Sequence, residues 1–146
     1  MRKVFIICAM VCVIGMMTSC DEKEQDLTPA HNPLFQTSWE GRYNVDWKGE
    51  GYELHDHYIL LFNFLTDDSV RVYGEKWETN PEYNTLPYKV AQWNDTMKYS
   101  FSKRNGVIYG VNGSIWSGNE TPIRYGINHS LQIKTRQIGF VSLTKK

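Results

Sequence analysis

The chain lacks nearly everything by which an enzyme announces itself. It has no Gly-x-Ser-x-Gly elbow, no glycine-rich phosphate loop, and no Ser, His and Asp in an order that makes a nucleophilic triad. Its carboxylates are scattered, so spacing nominates no pair for glycoside hydrolysis. Charge of one sign is missing too: 16 Lys and Arg stand against 16 Asp and Glu. That balance excludes the strongly basic footprint of a nucleic-acid binder. Cysteine numbers three. Cys8 and Cys12 share one apolar segment at the start, which leaves Cys20 alone and rules out a disulfide framework for the rest. Helical periodicity longer than two turns is absent beyond that segment. Together the absences point away from catalysis, imply no cofactor, and direct attention to binding.

What is present begins with a leader. Met1-Arg2-Lys3 is basic, Val4 to Met17 is an unbroken apolar run of 14 residues, and Thr18-Ser19 are small. A membrane-spanning helix needs about 20 apolar residues, so this pattern reads as an export signal. Met17-Thr18-Ser19-Cys20 resembles the lipobox of bacterial lipoproteins, with Met17 where that family usually has Leu. The resemblance implies cleavage before Cys20, a diacylglycerol on its thiol and a further acyl chain, such as palmitate, on the new amino terminus. Each buried methylene of such chains contributes about 0.8 kcal/mol, and two or more chains hold a protein stably. The membrane is then the first expected partner. Ordinary signal cleavage, with Cys20 a bystander, is the alternative.

Asp21-Glu22-Lys23-Glu24-Gln25-Asp26 places four acids in six residues. Such a run is solvated and self-repelling, a tether rather than a fold. It resembles the acidic export signal behind the cysteine in surface lipoproteins of certain anaerobic Gram-negative bacteria, which implies a surface-facing position on the outer membrane. A lone Asp after the cysteine implies the inner membrane in enteric bacteria. Cleavage would leave 14 bases against 16 acids in one domain-sized chain. The expected organisation is a signal peptide over 1–19, a lipidated and proline-containing tether over 20–34, and a single β domain over 35–146.

The β assignment rests on alternation. Trp39, Tyr43, Val45 and Trp47 share one face with Gly41, while Glu40, Arg42, Asn44, Asp46 and Lys48 share the other. Period two over that length means a strand with one wet face. Further strands are expected at Tyr52–Leu65, Ser69–Trp77, Leu86–Trp93, Met97–Ser102, Val107–Trp116, Ile123–Ile127, His129–Arg136 and Ile138–Thr144. Gly49-Glu50-Gly51, Thr66-Asp67-Asp68 and Asn94-Asp95 read as turns. Asn105-Gly106 reads as a two-residue hairpin turn, since both residues tolerate positive φ. Eight or nine strands joined mostly by hairpins predict an antiparallel up-and-down barrel, with a β-sandwich as the alternative.

Phe35-Gln36-Thr37-Ser38-Trp39-Glu40-Gly41-Arg42-Tyr43 resembles the opening strand of the lipocalin-like proteins, where a Trp near the start of the first strand closes the barrel floor. Thr37 stands where that family usually has Gly. The resemblance extends to strand order over residues 35–146. It implies an eight-stranded barrel, filled or holding a small apolar ligand, and a basic residue packed on the Trp, here Arg136 or Lys145.

Candidate site residues follow from these readings. A small apolar ligand inside the barrel predicts a cavity lined by Tyr43, Tyr58, Phe62, Tyr99 and Phe101. Trp77, Trp93 and Trp116 fall at strand ends, where indole rings suit a cavity mouth. If the barrel is solid, the same three Trp would mark an outer surface for an envelope protein or glycan. His55-Asp56-His57 puts two imidazoles on one strand face about 7 Å apart, and Glu53 shares their parity. Two His and a carboxylate suit zinc with an open position, which makes a metal-dependent hydrolase the remotest reading; a wet strand face is the plainer one. Asp68-Ser69-Val70 and Asp95-Thr96-Met97 resemble O-glycosylation sites of exported proteins.

The lipobox reading is tested on Cys20. Cys20→Ser is expected to abolish incorporation of labelled palmitate and to move the protein from the membrane to the soluble fraction. Unchanged fractionation would mean ordinary signal cleavage.

Overall fold

Residues of one parity in every strand meet in a single interior, because the sheet closes on itself. The computed structural model describes residues 30–110 and 119–146, with Asn84 and Thr85 described in their backbone alone. Its strands are β1 (Ser38–Gly49), β2 (Tyr52–Phe64), β3 (Ser69–Asn80), β4 (Asn84–Ser102), β5 (Asn105–Tyr109), β6 (Glu120–Tyr125), β7 (Leu131–Thr135) and β8 (Gly139–Lys145). Each pairs antiparallel with the next, and β8 returns to β1. This is a closed eight-stranded up-and-down barrel; the sandwich alternative is excluded.

Strand β1 runs as its alternation predicts. Trp39, Gly41, Tyr43 and Val45 are buried, while Arg42, Asn44, Asp46 and Lys48 face water. Opposite them in β2, Asp56, Tyr58, Leu60, Phe62 and Phe64 are buried in strict alternation. The turn between these strands is made by Glu50 and Gly51, and Gly51 supplies a φ of 79°.

Two expected turns are not where composition suggested. Asn94-Asp95 does not interrupt the chain: β4 continues through it for 19 residues, paired with β3 at Tyr73↔Asn94 and Val72↔Asp95. Nor do Asn105 and Gly106 form the hairpin turn. Ser102 pairs with Asn105, so the turn is Lys103-Arg104, and Lys103 takes the positive φ of 57°. Gly106 is needed for space instead. A Cβ there would fall 2.4 Å from the Ser100 carbonyl oxygen and 2.8 Å from the Phe101 ring. Of the strand expected at Val107–Trp116, residues 107–109 belong to β5, and Trp116 lies outside the described residues.

The floor of the barrel is solid. Leu34, Trp39, Phe62, Phe64, Val70, Ile123, Leu131 and Ile133 are at most 1% exposed, and fully burying a side chain of this kind contributes about 1.5–3 kcal/mol. Residues 31–34, read above as the end of the tether, belong to this packed unit. Asn32 fixes them: its amide donates to the Asp67 carbonyl and the Tyr99 hydroxyl, and its backbone N–H to the Asp67 carboxylate. Thr37 has a use that glycine lacks. Its Oγ1 accepts the Trp39 indole N–H at 2.8 Å and donates to the Leu34 carbonyl. The edge-on ring against Trp39 is Tyr125, at 6.1 Å between centroids. Lys145 is Trp39's backbone pairing partner on β8, and Arg136 lies at the opposite end of the barrel.

Gly74 leaves the hole that Trp93 fills. The two are cross-strand partners, and a Cβ on Gly74 would sit 2.3 Å from the indole. Gly74→Val is expected to expel that ring and lower the unfolding free energy by about 1–3 kcal/mol, measured by urea denaturation; an unchanged midpoint would show that Trp93 does not depend on the gap.

Candidate functional site

The barrel's other end is open. Strands β1–β4 are 12 to 19 residues long and β5–β8 only 5 to 7. At about 3.3 Å per residue, the first four rise past the last four as a wall. Between that wall and the β7–β8 turn lies a cavity of about 660 Å³, lined by Trp47, Tyr52, Leu54, Asp56, Tyr58, Lys76, Arg136 and Gln137.

Local structure sets each group. Trp47 supplies the last inward side chain of β1, where the wall leaves it 42% exposed. Tyr52 begins β2 and rests on Gly49, where a Cβ would fall 2.1 Å from the ring. Across the cavity, the buried Thr135 closes the β7–β8 turn: its Oγ1 donates to the Gly139 carbonyl and accepts the Ile138 N–H. Gly139 takes a φ of 78°, and Arg136 and Gln137 are thereby presented to the cavity.

At the cavity's base sits an ionic pair. The Asp56 side chain is 2% exposed, and its Oδ2 accepts from Trp47 Nε1 at 2.9 Å, from the Tyr58 hydroxyl at 3.2 Å and from Lys76 Nζ at 3.0 Å. Lys76 also lies 3.7 Å from Glu78 and 6.0 Å from the centre of the Tyr58 ring. Beneath, Tyr43 and Tyr58 stack at 4.6 Å and 10°. Burial pushes both phenols well above their ordinary range, with the Asp56 charge adding to the effect; they remain neutral donors at any physiological pH. Two polar atoms here are buried without a hydrogen-bond partner, Asp56 Oδ1 and the Tyr43 hydroxyl. A buried polar group without a partner is costly and calls for an explanation.

Of the residues expected to line an internal cavity, Tyr58 does so. Tyr43 lies in the stack below it, Phe62 and Tyr99 are in the filled floor, and Phe101 packs against that floor. Trp93 faces inward over Gly74. Trp77 is on the outer face, where its indole donates to Glu75 Oε2 at 2.8 Å beneath Lys89 Nζ, 5.1 Å from the ring centre. Hydrogen bonds from Lys89, Tyr73 and Trp77 pull the Glu75 carboxyl down to about 2. Trp77 and Trp93 therefore do not form one surface cluster.

His55 and His57 point outward. His55 Nδ1 meets Asp46 Oδ1 at 2.7 Å and His57 Nδ1 meets Asn44 Oδ1 at 2.5 Å, both cross-strand partners. Glu53 is engaged by Lys48 at 2.8 Å, which holds its carboxyl below the usual range. Among the described residues no group of three His, Cys, Asp or Glu side chains is placed to hold a metal ion. The residues that matter at the mouth were mostly passed over in sequence: Asp56 between two conspicuous histidines, Lys76 beside Trp77. Their signal was parity, since Asp56 falls in step with Tyr58, Leu60 and Phe62.

Fold and site define a class: a single small antiparallel barrel, filled at one end and open at the other over a buried ion pair. Comparison with protein families, with curated proteins and with solved structures finds no match.

Removing one partner of a buried pair strands the other's charge. Lys76→Met is expected to lower stability by about 3 kcal/mol, the low end of such effects because a fifth of the Lys76 side chain reaches solvent. The double variant Asp56→Leu/Lys76→Met is expected to recover more than half of that loss in urea denaturation. No recovery would mean that the pair is not the source.

Proposed function

We propose that this chain is a lipid-anchored envelope protein whose barrel binds a small ligand at its open end, without catalysis. The lipobox, the acidic run behind it and the single Cys20 support the anchor and an outer-membrane, surface-facing position. One observation carries the binding reading: Asp56 Oδ1, buried and without a partner, at the base of a 660 Å³ cavity. Pockets of this volume suit small molecules, and convergent polar groups among apolar walls fix a ligand's orientation. The ligand lies above the Tyr43–Tyr58 stack rather than in the barrel's centre, which its own side chains fill.

A second reading is docking of an envelope partner on the β3–β4 hairpin. It is favoured by large apolar side chains left in water there, with Tyr83 85% and Leu86 73% exposed.

Native mass spectrometry of the full chain, released from its own membrane in mild detergent, separates the two. The expected result is an additional small-molecule mass, lost on denaturation and reduced in a Trp47→Ala variant. A mass accounted for by the lipidated chain alone would overturn the ligand reading and move the search to the hairpin.

A further inference from the structure

We propose that the ligand is a saccharide, a neutral ring bearing several hydroxyls. The inference rests on the reading of the barrel mouth as a ligand site and adds the chemistry of the occupant.

Hydrogen-bond accounting comes first. An ionised carboxylate only accepts. All three donors that reach Asp56 converge on Oδ2, and Oδ1 has none. Oδ1 is closed to solvent, and an occupant that brings a donor satisfies it once the side chains over it shift. On the far side the exposed Arg136 guanidinium only donates, so an occupant that also accepts gains a hydrogen bond there. A hydroxyl does both, and neighbouring hydroxyls on one ring do both in two directions.

Charge narrows the class further. An ammonium ligand would meet Lys76, 3.0 Å from the carboxylate it would have to approach, and then Arg136. An anion would find Arg136 at the rim but Asp56 at the base, with Glu78 behind Lys76 at 3.7 Å. At the base of the cavity each sign finds its opposite only beside its like. A neutral molecule incurs no such penalty.

Shape supplies the third argument. Trp47 and Tyr52 present ring surface at the rim, 42% and 54% exposed. A sugar ring carries a patch of C–H groups that lies flat on such a surface while its edge hydroxyls reach sideways. Trp47 is already held by its N–H on Asp56, so its orientation is set before any ligand arrives and little rotamer freedom remains to be lost. A wholly apolar chain would fill the same space but leave Asp56 Oδ1 without a donor, which is unfavourable.

The test reads the Trp47 indole N–H in ¹H–¹⁵N spectra of the full chain. Probes are a panel of neutral methyl glycosides and disaccharides, with laurate and decanol as apolar comparators. The expected result is a saturable shift of that signal with at least one saccharide and with neither comparator. Asp56→Asn is expected to weaken the affinity by about tenfold or more, the equivalent of about 1.4 kcal/mol. Arg136→Ala, at an exposed turn that leaves the core intact, is expected to weaken it as well. A shift with the comparators alone would overturn the saccharide and leave the mouth as a ligand site. No shift with any probe would overturn both. Saccharide binding unchanged in both variants would put the sugar elsewhere and overturn the proposal.

Discussion

The barrel closes through a short seam, and the sorting of every side chain depends on it. β1 and β8 share two residue pairs, Trp39↔Lys145 and Glu40↔Thr144. The Lys146 N–H extends the ladder to the Ser38 carbonyl at 2.9 Å, and Lys146 and Arg42 both engage Glu40, which holds its carboxyl below the usual range. Gly41 allows the approach, since a Cβ there would overlap Leu143 at 2.3 Å. Once the seam is made, no strand edge is left there for another chain to pair with, and each strand's period of two becomes an inside and an outside. The inward position of Asp56 is a consequence. To turn it out, β2 would have to slip by one residue and carry Tyr58, Leu60, Phe62 and Phe64 out with it.

Apolar packing and polar lining occupy different levels of that interior. The floor is apolar, close-packed and capped by residues 31–37, with Leu34 fully buried and Trp39 locked through Thr37. Above the Tyr43–Tyr58 stack the lining changes to Asp56, Lys76, Arg136 and Gln137. The change coincides with the end of the short strands. Where β7 gives way to its turn after Thr135, inward positions of β1–β3 no longer face an opposing strand, and Lys76 reaches both Asp56 and water. Strand length therefore decides where the core stops and a site can begin.

This division explains what was legible in the sequence. The alternation from Trp39 to Lys48 was enough to define β1, its faces and its burial, and strands of similar pattern were enough for an up-and-down barrel of eight or nine strands. Turn composition was a poorer guide. Asn94-Asp95 looks like a turn in isolation, but the β3 ladder holds it extended, and Gly106 looks like a turn residue although it serves the close packing of Phe101 and Ser100. The site was hardest to see. Aromatic residues drew attention to the interior, and Tyr58 does line the cavity, but Phe62 and Tyr99 pack the floor because they lie too far along their strands to reach the mouth. His55 and His57 stood out as metal ligands in a row, whereas the outer face of β1 gives each its own partner in Asp46 and Asn44. Asp56 carried no motif, only a parity.

That parity places a charge where a hydrocarbon would fold equally well. A buried ion pair is weak evidence for stability, since well-packed apolar residues of similar volume often do as well or better. Were the Asp56–Lys76 pair present only to specify the fold, its natural place would be the filled floor and both carboxylate oxygens would be satisfied. Instead it adjoins the cavity, one oxygen holds three donors, and the other holds none. The three donors also do more than neutralise Asp56. They fix the Trp47 indole, the Tyr58 ring and the Lys76 ammonium around one point, so the carboxylate orders the surface that any occupant must touch. The desolvation cost borne by Asp56 yields a fixed aromatic wall beside the cavity, which packing alone does not require.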